Sequence, residues 1–194
     1  MVDAIEMALA VVAVLERCGV PYTIGGSLAS SFSGEPRASI DVDIVVDMRV
    51  DQADAFVEAL GEEFYADVEA LRRVIRQRAS TNLIHRPSGF KIDLFVAGTP
   101  LEARQLERRR RIRVASGPDR FLYVQSPEDI LLQKLRWYQM GGEVSERQWR
   151  DVVSIVIVQG ARLDRGYLSA TAAHAGLSDL LERAQRDAAG GSDY

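Results

Sequence analysis

Hydrophobic and polar positions divide the chain into two parts with different periodicity. Up to about residue 125, short segments in which apolar and polar residues alternate are interspersed with helical patterns, whereas the remainder is helical with breaks at glycines. Ser126-Pro127-Glu128-Asp129 opens that second part with a helix-start signal: a capping hydroxyl, a first-turn proline and acidic residues. The pattern predicts helices at 3–18, 51–60, 67–78 and after Pro100, and strands at 20–24, 39–47, 81–85, 90–96 and 121–124.

This division predicts one domain at residues 1–125, a helical domain at 126–187 and a flexible tail at 188–194. With 47% hydrophobic and 27% charged residues, the composition is that of a globular protein. No apolar run approaches the ~20 residues that a membrane helix needs. Asp3 and Glu6 stand where a signal peptide would carry basic residues, so we expect a cytoplasmic location and no membrane partner.

Cysteine content and net charge exclude several classes of protein. Cys18 is the only cysteine, which rules out an internal disulfide and a zinc cluster built from thiolates. The formal net charge of −4 argues against a general nucleic-acid coat. The net charge does not exclude a local basic groove. The arginine run at 108–113, together with Arg72, Arg73, Arg76 and Arg78 upstream, is the candidate for contact with an RNA such as tRNA. The alternative is a solvated helix end, because no aromatic residues are interleaved with the run.

Three aspartates are spaced as in a divalent-metal site. In the predicted strand 39–47, apolar residues alternate with Asp41 and Asp43, which therefore share one face. Asp93 lies in another predicted strand, between Ile92 and Leu94. Two carboxylates at i and i+2, with a third on a second strand, can surround Mg²⁺ or Mn²⁺ ions that bridge triphosphate oxygens and activate an attacking hydroxyl.

A glycine turn precedes the first two of these aspartates. Gly25 and Gly26 end the strand 20–24, and Ser27 begins a helix-like segment. Such a turn lets backbone approach a phosphate closely, while the helix offers free N–H groups and Ser27 adds a hydroxyl. Each signal alone is common by chance. Their order, and the 13 residues between Ser27 and Asp41, together favour a site for a nucleoside triphosphate.

The segment Ile24-Gly25-Gly26-Ser27, followed by Arg37-Ala38-Ser39-Ile40-Asp41-Val42-Asp43, resembles the signature of the Pol β nucleotidyltransferase superfamily, and most nearly its minimal and AbiEii-type toxin members. The resemblance covers residues 20–97. It implies an α+β fold, with a mixed sheet flanked by helices and followed by a C-terminal helical bundle. It also implies metal binding by Asp41, Asp43 and Asp93, and phosphate contacts from Gly25, Gly26, Ser27 and Arg37. An ion pair of Arg37 with Glu35 or Asp41 is the alternative.

The helical part carries a second resemblance. The segment 126–135, followed by Arg150-Asp151-Val152, is similar to the later motifs of AbiEii-like proteins. The resemblance implies that Lys134 acts in catalysis by neutralising triphosphate charge, and that Asp151 orients the nucleotide or the acceptor. The alternative is an ordinary helix in which Lys134 and Asp151 are solvated or paired.

Together these features predict a nucleotidyltransferase that moves a nucleoside monophosphate from an NTP to an acceptor hydroxyl on RNA such as tRNA, on protein or on a small molecule. The resemblance implies the toxin of a toxin–antitoxin pair, with a cognate antitoxin protein as partner. The main alternative is a catalytically silent, antitoxin-like protein that binds a nucleotide or a partner. A Rossmann site would need a different glycine spacing, and a glycosyltransferase using Asp-x-Asp would usually need a longer chain.

Overall fold

The computed structural model describes residues 3–36, 41–114 and 120–190. Arg37 lies outside these ranges, so its predicted contact with phosphate stays a prediction. By their contacts, the residues form two compact units, one of Met1–Leu28 with Ala38–Gln125 and the other of Ala29–Arg37 with Ser126–Tyr194.

The first unit is built on a seven-stranded mixed sheet with strand order β3-β4-β5-β2-β1-β7-β6. Strand β2 pairs in parallel with β5 and antiparallel with β1, and β1 pairs in parallel with β7. This mixed sheet, with helices in the same unit, confirms the predicted α+β class. The strands are β1 Tyr22–Ile24, β2 Asp41–Val46, β3 Phe64–Tyr65, β4 Ser80–His85, β5 Phe90–Val96, β6 Arg110–Arg113 and β7 Phe121–Val124.

Three of the helices that belong to this unit begin where a side chain caps the first turn. The side-chain oxygens of Asp3, Asp67 and Thr99 accept backbone N–H groups at the starts of α1, α4 and α5. The four helices predicted in this part of the chain are confirmed within a few residues at each end. The helices are α1 Ala4–Arg17, α2 Gly26–Ser33, α3 Ala53–Leu60, α4 Val68–Gln77 and α5 Pro100–Glu107, with a short 3₁₀ turn at Val50–Gln52.

Alternation along β2 fixes which face of the sheet is buried. Val42, Ile44 and Val46 are fully buried, whereas Asp41 and Asp43 are only half-buried. A slip of one residue in pairing would bury the aspartates, so the pattern specifies the register. Further along the aspartate face of the sheet, Val45 packs against Leu106 of α5. The carboxylates therefore lie toward the start of β2, and the apolar contact with α5 lies toward its end.

The second unit is helical. Its helices after residue 125 are α6 Pro127–Met140, α7 Glu146–Gln159, α8 Arg165–Ala175 and α9 Ser178–Gly190, with a 3₁₀ turn at Gly160–Arg162. The Ser126 hydroxyl accepts the N–H of Asp129, which confirms the predicted helix start. Helix α7 contacts both α6 and α9, as in the predicted bundle. In the ranges described, no helix combines the length and apolar character needed to cross a bilayer.

Two strands were not anticipated from the sequence. Strand β3 is two residues long, and β6 occupies the last four of the six residues of the run at 108–113. From Arg110 onward this run is therefore an edge strand, so the predicted alternative of a solvated helix end is wrong there. Ile112 is the only apolar residue of β6, and pairing with β7 defines the strand. Apolar alternation could not have revealed it.

Candidate active site

The three predicted metal aspartates lie on one face of two neighbouring strands. In the parallel β2–β5 pair, Asp43 stands directly opposite Asp93, and Asp41 stands opposite Lys91. Directly opposed residues share a face of the sheet, and so do residues two apart on a strand. Asp41, Asp43, Lys91 and Asp93 therefore form one patch, which we call the acid face.

Lys91 is a member of this patch that sequence reasoning missed. Its Nζ lies 2.8 Å from Oδ2 of Asp93. The hydrogen bond with Asp93, together with the negative charges of Asp93, Asp41 and Asp43, raises the pKa of the Lys91 ammonium. The signal was present in the sequence, because Lys91 precedes Asp93 by two residues on the same strand.

The donor set of the acid face is made of carboxylate oxygens, which are the ligands that Mg²⁺ and Mn²⁺ prefer. As the side chains stand in the described ranges, no three acidic, histidine or cysteine residues are gathered closely enough to enclose a metal ion. The chemistry of the residues thus fits a divalent metal.

The glycine turn meets the acid face through Asp43. The N–H of Gly25 donates a 2.9 Å hydrogen bond to the carbonyl oxygen of Asp43. Gly26 has φ of +58°, and a Cβ placed on it would lie 1.7 Å from Oδ2 of Asp43, where at least 3.0 Å is normal. The Asp43 carboxylate therefore packs directly against the Cα of Gly26. Only glycine permits this contact, which sets the carboxylate beside the first turn of α2.

A buried glutamine borders the other side of the turn. Gln125 follows β7, and its N–H donates a 2.9 Å hydrogen bond to the carbonyl oxygen of Ile24, the last residue of β1. Its side-chain amide donates to Oε1 of Gln105 at 3.1 Å. A Cβ on Gly25 would lie 3.3 Å from that amide, a tight fit. Within the described ranges, Oε1 of Gln125 accepts no hydrogen bond. Sequence reasoning missed this residue, which no motif marked.

Ser27 is the second residue of α2 and is half-buried. Gly25, Gly26 and Ser27 thus occupy the end of β1 and the start of α2, in the unit that contains the acid face. Strand β1 neighbours β2 and runs antiparallel to it, so the turn after β1 lies at the same end of these two strands as the start of β2. The predicted contacts of these three residues with phosphate stay predictions.

In the helical unit, Lys134 and Asp151 form a buried ion pair. The Lys134 Nζ lies 2.7 Å from Oδ2 of Asp151, and the two side chains are 5% and 11% exposed. Burying two charges is costly unless they compensate one another, so this contact joins α6 to α7 by charge as well as by packing. The pairing foreseen as the alternative is present. The predicted roles of Lys134 and Asp151 at the nucleotide stay predictions.

The acidic residues at the start of α6 have partners that the sequence did not indicate. Asp129 is fully buried and accepts hydrogen bonds from the Tyr167 hydroxyl at 2.6 Å and from the Ser126 hydroxyl at 2.7 Å. Glu128 is also buried and accepts the N–H of Asp164 at 3.0 Å. These carboxylates tie α6 to the start of α8, in addition to favouring the first turn of α6.

Solved structures place the fold in a known class. The chain is similar to the antibiotic-resistance factor ANT(2'')-Ia in solution, with a TM-score of 0.59 and 14% identity over 92% of this chain and 96% of that chain. It is also similar to an antigenic nucleotidyltransferase-like protein from Paracoccidioides brasiliensis, with a TM-score of 0.56 and 19% identity over 94% and 92% of the two chains. The chain is similar as well to ANT(2'')-Ia in complex with adenylyl-2''-tobramycin, with a TM-score of 0.51 and 16% identity over 94% of this chain and 97% of that chain. The fold is that of a nucleotidyltransferase.

The family model described as nucleotidyl transferase AbiEii toxin, of the type IV toxin–antitoxin system, matches residues 24–189. The chain therefore belongs to the AbiEii nucleotidyl transferase family, which confirms the resemblance found in the motifs. No curated protein matches the sequence.

Proposed function

We propose that this protein is a metal-dependent nucleotidyltransferase that transfers a nucleoside monophosphate from an NTP to an acceptor hydroxyl. The observation that carries the proposal is the position of Asp43, directly opposite Asp93 in the sheet and packed against Gly26 at the start of α2. Membership of a nucleotidyl transferase family supports the reaction class. Asp43 thus belongs to the acid face and also contacts the glycine turn that we propose binds phosphate.

In this proposal Asp41 and Asp43 would hold Mg²⁺ or Mn²⁺, and Asp93 would complete the set. When bound, the metal neutralises triphosphate charge and lowers the pKa of the attacking hydroxyl. The acceptor oxygen forms a bond to the α-phosphorus while the bond to the bridging oxygen breaks, and pyrophosphate leaves. Asp93 accepts the hydroxyl proton.

The remaining predicted residues act on the triphosphate. The N–H groups of Gly25 and Gly26 and the hydroxyl of Ser27 approach phosphate oxygens from the positive end of α2. Lys134 and Arg37 stabilise the charge that develops on the phosphates. Asp151 orients the nucleotide or the acceptor, in addition to its ion pair with Lys134.

The family description supports a biological role as the toxin of a toxin–antitoxin pair, with a cognate antitoxin protein as partner. The acceptor is RNA, protein or a small molecule. A catalytically silent nucleotide-binding protein of the same fold is the competing function, and the experiment below separates the two.

The test compares Asp43→Ala with Asp47→Ala, since Asp47 follows the same strand but is half-exposed and pairs with Arg78. Each protein is incubated with α-labelled NTPs, Mg²⁺ or Mn²⁺, and total cellular RNA and protein, and the labelled products are resolved. We expect the wild type and Asp47→Ala to label one class of acceptor. Asp43→Ala should lose transfer by about 10³-fold, the scale of losing a key electrostatic group, with unchanged thermal unfolding.

Transfer by Asp43→Ala at the wild-type rate would refute the mechanism. Nucleotide binding by the wild type without transfer to any acceptor would instead favour the silent function.

A further inference from the structure

The glycine turn of the candidate site borders a buried side chain that the proposed reaction does not use. Strands β1 and β7 pair in parallel with Ile24 opposite Val124, so Gln125 lies next to Gly25. The N–H of Gln125 donates a 2.9 Å hydrogen bond to the carbonyl oxygen of Ile24, and Gln125 is 1% exposed. Backbone pairing therefore holds the Gln125 side chain beside the turn, shielded from solvent.

The amide group of Gln125 presents its flat face to Gly25. A Cβ built on Gly25 would lie 3.3 Å from Nε2, 3.3 Å from Oε1 and 3.4 Å from Cδ of Gln125. Because these three atoms are almost equally distant, the position of that Cβ lies over the plane of the amide and not at its edge. The space accepts the hydrogen of glycine but makes a methyl group a tight fit. Since β1 lies between β2 and β7, the amide limits how far the turn can move away from Asp43.

Helix α5 holds the amide group in this orientation. The Nε2 of Gln125 donates a 3.1 Å hydrogen bond to Oε1 of Gln105, a residue that is also 1% exposed. Leu106, the next residue of α5, packs against Val45 of β2. The same helix therefore contacts β2 and, through Gln105, fixes the plane that faces Gly25.

The two glutamines are poorly suited to a purely structural role. Within the described ranges, Oε1 of Gln125 accepts no hydrogen bond. Leaving a buried acceptor unsatisfied costs at least as much as one neutral hydrogen bond contributes, and an apolar pair of the same shape can be equally stable. Polar groups that are buried at such a cost are expected at functional sites. A hydrogen-bonded amide keeps one orientation, which a flexible apolar side chain such as methionine would not.

We propose that Gln125 is a positioning residue for the glycine turn, and that Gln105 holds Gln125 in place. The amide face keeps Gly25 and Gly26 against Asp43, so the turn meets the triphosphate in one geometry. This inference rests on the proposed function and deepens it, because it assigns control of triphosphate binding to two side chains that contact neither the nucleotide nor the metal.

The experiment measures binding by calorimetry in the presence of Mg²⁺. The ligands are inorganic tripolyphosphate and the α,β-methylene analogues of the four NTPs, in which a P–C bond prevents loss of pyrophosphate. Gln105→Met/Gln125→Met replaces both amides with apolar side chains of similar length, so its Tm should equal or exceed that of the wild type. Its affinities for the nucleotide analogue and for tripolyphosphate should fall together by about 10-fold, the scale of one hydrogen bond to a charged group.

Gln52→Met is the matched control. Gln52 is a buried glutamine of the same unit, and its side-chain amide hydrogen-bonds the backbone of Cys18 and Arg49. Its replacement should lower the Tm and leave both affinities at the wild-type value. Unchanged affinities in Gln105→Met/Gln125→Met, or equal losses in that variant and in the control, would overturn the proposal.

A double-mutant cycle tests the contact between the amide and the turn. Gly25→Ala places a methyl group against the amide and should weaken binding of tripolyphosphate. The same change in Gln125→Ala should cost less affinity, because the opposing atoms have been removed. Equal losses in the two backgrounds would show that the amide does not position the turn, and the proposal would be wrong.

Both measurements record binding without transfer, so the two proposals can fail separately. Weaker binding by the glutamine variants, in a protein that transfers nothing, would count against the proposed function alone. Wild-type affinities in those variants, together with transfer to an acceptor, would count against the role of Gln125 alone. A wild type that binds neither ligand would overturn both.

Discussion

Comparing Gly26→Ala with Gly176→Ala separates the cost of backbone strain from the effect of displacing Asp43 in the acid face. Gly26 has a positive φ, where an added Cβ costs about 1–2 kcal/mol for any L-residue. Gly176 also has a positive φ, of +67°, but nothing lies within 4 Å of a Cβ placed there. Both alanine variants should therefore lose about 1–2 kcal/mol of unfolding free energy. For a chain of this size, that corresponds to a fall in Tm of roughly 2–8 °C.

Only Gly26→Ala should affect the site. The new Cβ would lie 1.7 Å from Oδ2 of Asp43, so the two must separate by about 1.3 Å to reach the 3.0 Å that real contacts keep. Displacing a catalytic group by about 1 Å can cost about 10²-fold in rate. We expect a loss of that size in nucleotidyl transfer by Gly26→Ala and a rate near that of the wild type for Gly176→Ala.

Binding of Mn²⁺, followed by electron paramagnetic resonance, provides a readout that needs no acceptor. The affinity should fall in Gly26→Ala and remain unchanged in Gly176→Ala, with calorimetry reporting the stability of both. Equal metal binding and equal transfer by the two variants would refute the prediction. They would show that the position of the Asp43 carboxylate does not depend on the lack of a Cβ at residue 26.

Two further predictions concern stability. Lys134→Met removes the ammonium group from the buried ion pair with Asp151 and should cost about 3–5 kcal/mol of unfolding free energy, whereas Lys134→Met/Asp151→Leu should cost less than the single change. Urea unfolding measures both costs, and a double variant that is less stable than Lys134→Met would contradict a coupled pair. Burial raises the pKa of the Tyr22 hydroxyl well above 10.0, so its contribution to stability is complete below pH 10 and is lost as the pH rises further. Tyr22→Phe should flatten this alkaline decline in denaturant titrations, and an unchanged decline would assign it to other groups.

The predictions that succeeded concern features encoded in short segments. Alternation around Asp41 and Asp43 identified β2 and its half-buried face, and Ser126 with Pro127 identified the start of α6. The pairing of β2 with β5 then brings Asp93 opposite Asp43, whereas the predicted role of Asp93 at a metal stays a prediction. Local periodicity and capping were sufficient for these elements, because one face of each is buried.

The features that were missed depend on pairing between distant segments. Strand β6 contains a single apolar residue and is defined by β7. The contact of Arg111 with Phe121 joins residues ten positions apart that no motif connects. Gln125 belongs to no motif, and the position of its amide beside Gly25 follows from the pairing of β1 with β7. Such contacts depend on register across the sheet, which one sequence does not specify for strands without apolar alternation.

The ion pair of Lys91 with Asp93 has a consequence for how the acid face is assembled. Folding brings three carboxylates onto two adjacent strands, and their mutual repulsion would oppose pairing of β2 with β5. Lys91 is an internal counter-ion encoded in β5 itself, and it offsets part of that repulsion. In the proposed function, metal loading would be an exchange reaction, in which a divalent ion competes with the ammonium group of Lys91 for an oxygen of Asp93.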